Sequence, residues 1–132
     1  MGEKQHKWGY HIEDLEKAAE ETRRILIDVA RRGGTISYTD LCRKIESVSV
    51  EPDSHALAHI LGLVSAAEDR KGNGMLSALV VYKGGQDLRP GPGFFNLARQ
   101  LDYDLPDREA EDAFWIKQSK KVYDQWGRGR RR

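Results

Sequence analysis

The sequence predicts a mainly α-helical domain with a small β element, and three observations predict it. Apolar residues recur at steps of three and four in several separate stretches. Glycine, proline and serine punctuate those stretches where helices stop and start. One short valine-containing run, LSALVVY at residues 76–82, has the length and composition of a buried strand. With 132 residues, 39% of them hydrophobic, the chain carries enough apolar material for a single modest core. A single domain is expected over residues 1–126, its core in about 12–126, followed by a flexible basic tail over 127–132.

Each element follows from local chemistry. After a polar lead, Ile12, Leu15, Ala19, Thr22, Leu26 and Val29 share one face of a helix that runs to about Arg32. Gly33 and Gly34 close it, because glycine takes the left-handed conformation that ends helices. Thr35 and Ile36 favour an extended step. Ser37 then caps a short helix from Tyr38 to about Ile45, with Asp40 as its reciprocal partner. Pro52, Asp53 and Ser54 start a third helix, whose stripe is Ala56, Leu57, Ile60, Leu61, Val64 and Ala67 and whose outer face is Ser54, His55, Ala58, His59 and Gly62. LSALVVY reads as a strand, GGQDLRPGPG as a loop or wing, and Phe94-Phe95 as a returning segment, with a helical turn from Asn96 to about Leu101. Pro106 suits the first turn of a last helix that carries Phe114, Trp115, Val122, Tyr123 and Trp126. The order helix, helix, helix, strand, glycine-rich loop is that of a winged helix-turn-helix, here with an additional C-terminal helix. In that fold the helix after Ser54 would be offered to a major groove.

Charge and cysteine usage narrow the function. The net charge is +1, but Arg128, Arg130, Arg131 and Arg132 fall in the last six residues, leaving 18 basic against 21 acidic residues in 1–126. The body is slightly acidic and the tail basic, so the tail either neutralises nucleic-acid phosphates with little sequence preference or only solubilises the chain end. Cys42 is the one cysteine, which excludes an internal disulfide and a cysteine-based zinc cluster and reads as a buried, inert thiol. No apolar run approaches the roughly 18 to 20 residues that cross a bilayer, and the first residues lack the pattern of a secretion signal. The expectation is a soluble, cytoplasmic protein without a membrane partner.

ISYTDLC at residues 36–42, HALAHIL at 55–61, LSALV at 76–80 and GFFNLARQL at 93–101 together carry a resemblance. Across roughly residues 25–101 the chain resembles the C-terminal DNA-binding domain of the methylguanine-DNA methyltransferases and the related alkyltransferase-like proteins. The resemblance implies that Tyr38 contacts the phosphate beside a flipped nucleotide. It also implies that His55 stands where the family has the arginine that fills the space of the extruded base. A histidine there can stack or donate but carries little charge at neutral pH. The family's reactive PCHRV motif is matched by LSALV, so Ser77 stands at the alkyl-accepting cysteine and Ala78 at the histidine that activates it. An unassisted serine hydroxyl is a poor nucleophile, which implies that alkyl transfer is lost and that the protein is not an enzyme. Arg99 lies one step from the family's lysine in the closing segment.

Other groupings admit two readings each. His55 and His59, four apart, share a helix face that either is simply polar or supplies two metal ligands, with Asp53 or a distant residue as a third. On a groove-entering helix they would bind more tightly once protonated, below about pH 6.5. Lys83 and Arg89 sit on or near the wing and either grip phosphates or are solvated. The acidic cluster Glu109, Glu111 and Asp112 fits a solvated helix start better than metal-dependent hydrolysis. Trp115, Tyr123 and Trp126 either pack on the core or form a face for a protein partner or for stacked bases. The leading expectation is a non-enzymatic nucleic-acid-binding protein, with DNA preferred to RNA and no cofactor or metal. Its contact residues would be Tyr38, Ser54, His55, His59, Lys83, Arg89 and the four tail arginines. The alternative is a protein-interaction module that presents the aromatic C-terminal helix, and a metal-dependent enzyme using His55 and His59 is a third.

Overall fold

In the computed structural model, which describes residues 6–82 and 88–127, a two-residue hairpin precedes the first helix. Its strands are β1 (His6–Lys7) and β2 (Tyr10–His11), paired antiparallel, and they lie in what the sequence suggests is only a polar lead. The helix α1 (Ile12–Arg31) then buries Leu15, Ala18, Thr22, Leu26 and Val29 along one stripe. After β3 (Ile36–Ser37) come α2 (Tyr38–Lys44) and α3 (His55–Arg70). A single 3-10 turn at Leu76–Leu79 leads into β4 (Val80–Val81), and α4 (Pro92–Gln100) and α5 (Arg108–Trp126) complete the described residues. The protein is mainly helical with a small β element, as its pattern of apolar residues predicts.

The helix boundaries have specific causes. Ser37 Oγ accepts the Asp40 N–H at 3.0 Å, Ser54 Oγ the Leu57 N–H at 3.1 Å, and Asp107 Oδ1 the Ala110 N–H at 2.9 Å. The capping box expected at Ser37 is not reciprocal, since the Asp40 carboxylate turns to Arg43 at 3.2 Å. Pro106 lies just before the cap of α5 and not in its first turn. Three helices end by the same double closure, with a left-handed residue at Gly33, Gly72 and Asp102. At the end of α1, Gly33 N–H bonds Ala30 C=O at 2.9 Å and Gly34 N–H bonds Val29 C=O at 3.2 Å. Asp102 does at the end of α4 what glycine does at the other two, an arrangement aspartate tolerates better than most residues.

The reading of LSALVVY as a strand is corrected in part. Leu76, Ser77, Ala78 and Leu79 form the 3-10 turn, and only Val80 and Val81 are strand, paired in parallel with Ile36 and Ser37. Every residue from Met75 to Val81 is buried, so no alternation of exposed and buried positions distinguishes turn from strand. Phe94 and Phe95 likewise belong to α4 and not to a returning strand. Residues 84–87 of the wing lie outside those described, Pro92 and Gly93 belong to α4 and not to the loop, and the flanks meet where Tyr82 N–H donates to Arg89 C=O at 3.1 Å.

The main core lies where α1, α3, the 3-10 turn and α5 converge. Leu15, Leu26, Leu57, Ile60, Leu76, Leu79 and Val122 are almost wholly withdrawn from water there. A second cluster joins Met75, Ala78, Phe94, Phe95, Ala98, Leu105 and Phe114, fixing α4 and α5 to the turn. Among the described residues no helix is long and apolar enough to cross a membrane.

Candidate nucleic-acid interface

The first turns of α3 face a cavity of about 210 Å³, and three distant segments reach it. Ser54, Leu57, Ala58 and Leu61 line it from α3, Tyr38 from the start of α2, and Ser77 from the 3-10 turn, with Tyr82, Gly91 and Phe94 closing the far side. Tyr38, Ser54 and Ser77 are thus brought together although nearly forty residues separate the first from the last.

Tyr38 is held rather than free. Its hydroxyl accepts the Gly91 N–H at 2.8 Å and its ring lies 5.1 Å from that of Tyr82. Burial, with a smaller contribution from Tyr82, raises its phenol above the ordinary value against the lowering effect of the Gly91 bond. The hydroxyl therefore keeps its proton at neutral pH and can donate it to an acceptor at the cavity rim. A Cβ at position 91 would lie 2.6 Å from the Tyr82 hydroxyl and 3.3 Å from that of Tyr38, so glycine there lets both tyrosines approach the backbone closely. Tyr82, half exposed on the rim, is a site residue that sequence reasoning missed, its only signal being an aromatic at the end of an apolar run.

Ser77 lies at the cavity floor and is 4% exposed. Its Oγ is 2.6 Å from Ser65 Oγ, and its N–H donates to the same Ser65 oxygen at 3.0 Å. Ser65, wholly buried on α3, satisfies Ser77 without supplying a base. Nucleophilic activation needs an adjacent acceptor for the hydroxyl proton of suitable basicity, and another hydroxyl does not meet that need.

Beside the cavity, His55 and His59 turn to a different neighbour. The Trp8 ring, at the tip of the β1–β2 hairpin, stacks on His55 at 6.0 Å and 19° and meets His59 at 5.5 Å and 60°. Burial, then the Lys7 charge, keeps His59 below the ordinary imidazole value, opposed by Glu16. Protonation of His59 accordingly needs a lower pH than the roughly 6.5 expected of an unperturbed histidine. Among the described residues no group of three or more His, Cys, Asp or Glu is placed to hold a metal ion. Trp8 was invisible to periodicity because a two-residue hairpin is too short to show any.

Other expected contact residues are engaged elsewhere. Arg89, anticipated as a wing cation free to grip phosphate, pairs with Asp112 and with Glu111 at 3.5 Å, and its guanidinium lies 5.1 Å from the Phe95 ring centre. Glu111 also binds Arg99 at 2.6 Å, so the acidic start of α5 is a structural ion-pair cluster. Of the two readings open for the aromatic residues of α5, core packing is the one observed. Trp115 Nε1 donates to Ala78 C=O at 2.8 Å, Tyr123 OH to Gly34 C=O at 2.6 Å, and Trp126 packs on the main core under Arg23. Lys83 and the tail residues Arg128, Arg130, Arg131 and Arg132 lie outside the described residues.

No protein-family model, curated protein or solved structure matches this chain.

Proposed function

We propose that the protein binds nucleic acid, duplex DNA in preference to RNA, through the N-terminal turns of α3 and the cavity beside them, and that it performs no alkyl transfer. The observation that carries the reading is the convergence of Tyr38, Ser54 and Ser77 on one cavity. Those residues lie in or beside three segments that resemble an alkyltransferase DNA-binding domain. The cavity is mainly apolar, with a phenol held in its donor form at the rim, which suits a flat base together with its phosphate. The surroundings of Ser77 support the absence of alkyl transfer: its hydroxyl partner is Ser65, and Ala78 offers no imidazole. The acidic body limits what the fold can contribute electrostatically, so the arginine tail supplies the salt-sensitive part of the affinity.

Filling the cavity tests the reading. Ala58 is exposed and lines the cavity, so Ala58→Phe should leave the fold intact and weaken duplex binding by about tenfold or more, equivalent to roughly 1.4 kcal/mol. Tyr38→Ala should weaken it comparably. Unchanged affinity in both variants, measured by fluorescence anisotropy, would remove the cavity from the interface.

A further inference from the structure

We propose that Trp8, with His55 and Lys7, is a base-stacking platform for an unpaired nucleotide at the edge of the α3 surface; the placement of that strand rests on the nucleic-acid reading above. Trp8 and Lys7 lie outside the segments that carry the family resemblance, and the hairpin turn that holds them comes first. Lys7 pairs with Tyr10, leaving Trp8 and Gly9 as the two turn residues, at φ +51° and +84°. Such a turn requires left-handed backbone at both positions, for which asparagine, aspartate or glycine is the usual first residue. A tryptophan there is in a conformation that bulky side chains avoid, and residues held in this way cluster at ligand clamps and switch regions.

Burial does not explain the choice. Trp8 remains 48% exposed, among the most exposed large hydrophobic side chains described. Its ring instead lies nearly parallel to His55, tilts against His59, and has the Lys7 ammonium 5.2 Å from its centre. The result is a half-exposed aromatic ring with an imidazole stacked against it and a cation over it. A nucleotide offers the matching parts, a base with a π face and a phosphate one bond system away.

Position completes the argument. Ser54 and Ala58 line the cavity, whereas His55 and His59, each one residue further along α3, meet Trp8. One residue is about 100° around a helix, so cavity and platform flank the same two turns. A strand leaving a duplex seated on α3 would pass over Trp8.

The test compares a blunt duplex, the same duplex with a short single-stranded overhang, and the overhang sequence alone, each titrated against the intact chain, Trp8→Ala and Trp8→Phe. The overhang should tighten binding, Trp8→Ala should abolish that gain with about a tenfold loss, and Trp8→Phe should retain most of it. Tryptophan fluorescence of the intact chain should be quenched by the single strand, and Trp8→Phe should lose that quenching. Duplex binding without any overhang effect or quenching would overturn the platform and leave the duplex reading standing. Trp8-dependent binding of the single strand alone, with no duplex binding, would uphold the platform as a nucleotide site and overturn the duplex reading. No binding of any of the three would overturn both.

Discussion

Cys42 shows how a single residue's environment decides its chemistry. Partial burial, and then the Glu51 charge, push its thiol up to about 11. At pH 8 such a thiol carries on the order of 100-fold less thiolate than an ordinary one. Alkylation by iodoacetamide should therefore be correspondingly slow in the folded protein and reach the ordinary rate in denaturant; equal rates in both would contradict this environment. Glu68 is the opposite case. Burial alone would raise it, but hydrogen bonds from Asn73 and Arg23 and the charges of Arg23 and Lys71 hold it below its ordinary value. A carboxyl depressed on folding adds stability above its unfolded value, and that contribution is lost as pH falls through the folded one. Glu68→Gln should therefore cost about 1–3 kcal/mol at neutral pH by denaturant titration, with the difference from the parent protein narrowing below about pH 4. A gap independent of pH would assign the loss to packing. The residue types at both positions were legible in the sequence, but their partners were not: Arg23 and Glu68 stand forty-five positions apart and meet only because α1 packs on α3.

At the scale of elements, α5 is the buttress of the cavity floor. Gln118, almost wholly buried, accepts the Met75 N–H at 2.9 Å, Trp115 binds the Ala78 carbonyl at 2.8 Å, and the backbone between them carries Ser77. The approach is close because Gly74, at φ +92°, has no side chain; a Cβ there would lie 2.8 Å from Lys121 Cβ and 3.1 Å from the Gln118 carbonyl. Gly74→Ala should thus destabilise the fold by about 1–3 kcal/mol and displace the Ser77 segment, lowering both the thermal midpoint and nucleic-acid affinity. Wild-type stability in that variant would show that α5 is seated differently. Helices were the most legible elements, since the caps at Ser37 and Ser54, the glycines at 33 and 72 and the stripes of α1 and α3 act within a few residues of themselves. The 3-10 turn and the hairpin were not, because a run buried on every side has no period and a two-residue strand is too short to have one. The inward placement of Trp115, Tyr123 and Trp126 was one of two readings open to the sequence, and tertiary partners decided between them.

For the whole molecule, the mainly helical class was legible because each segment's local pattern agreed with its neighbours. The candidate site was legible in part. Tyr38 and Ser77 stand out in sequence through a resemblance and Ser54 as a helix start, but their meeting at one cavity, with Tyr82 and Gly91 opposite, depends on the path of α2, the 3-10 turn and α4. Under the proposed nucleic-acid reading, the charge distribution separates two contributions, an acidic body that would recognise by shape and hydrogen bonding and four arginines after position 127 that would act through charge. Removing the tail should reduce the magnitude of the slope of log affinity against log salt by up to about 0.9 for each phosphate that the arginines neutralise. The most direct test of the account is anisotropy titration of a labelled duplex, at two salt concentrations, with a chain ending at Trp126. Residual, weakly salt-dependent binding that Tyr38→Ala weakens about tenfold is the result expected of a reading surface on α3. Loss of all binding with the tail, or none in the intact chain, would contradict it and leave the fold without a nucleic-acid role.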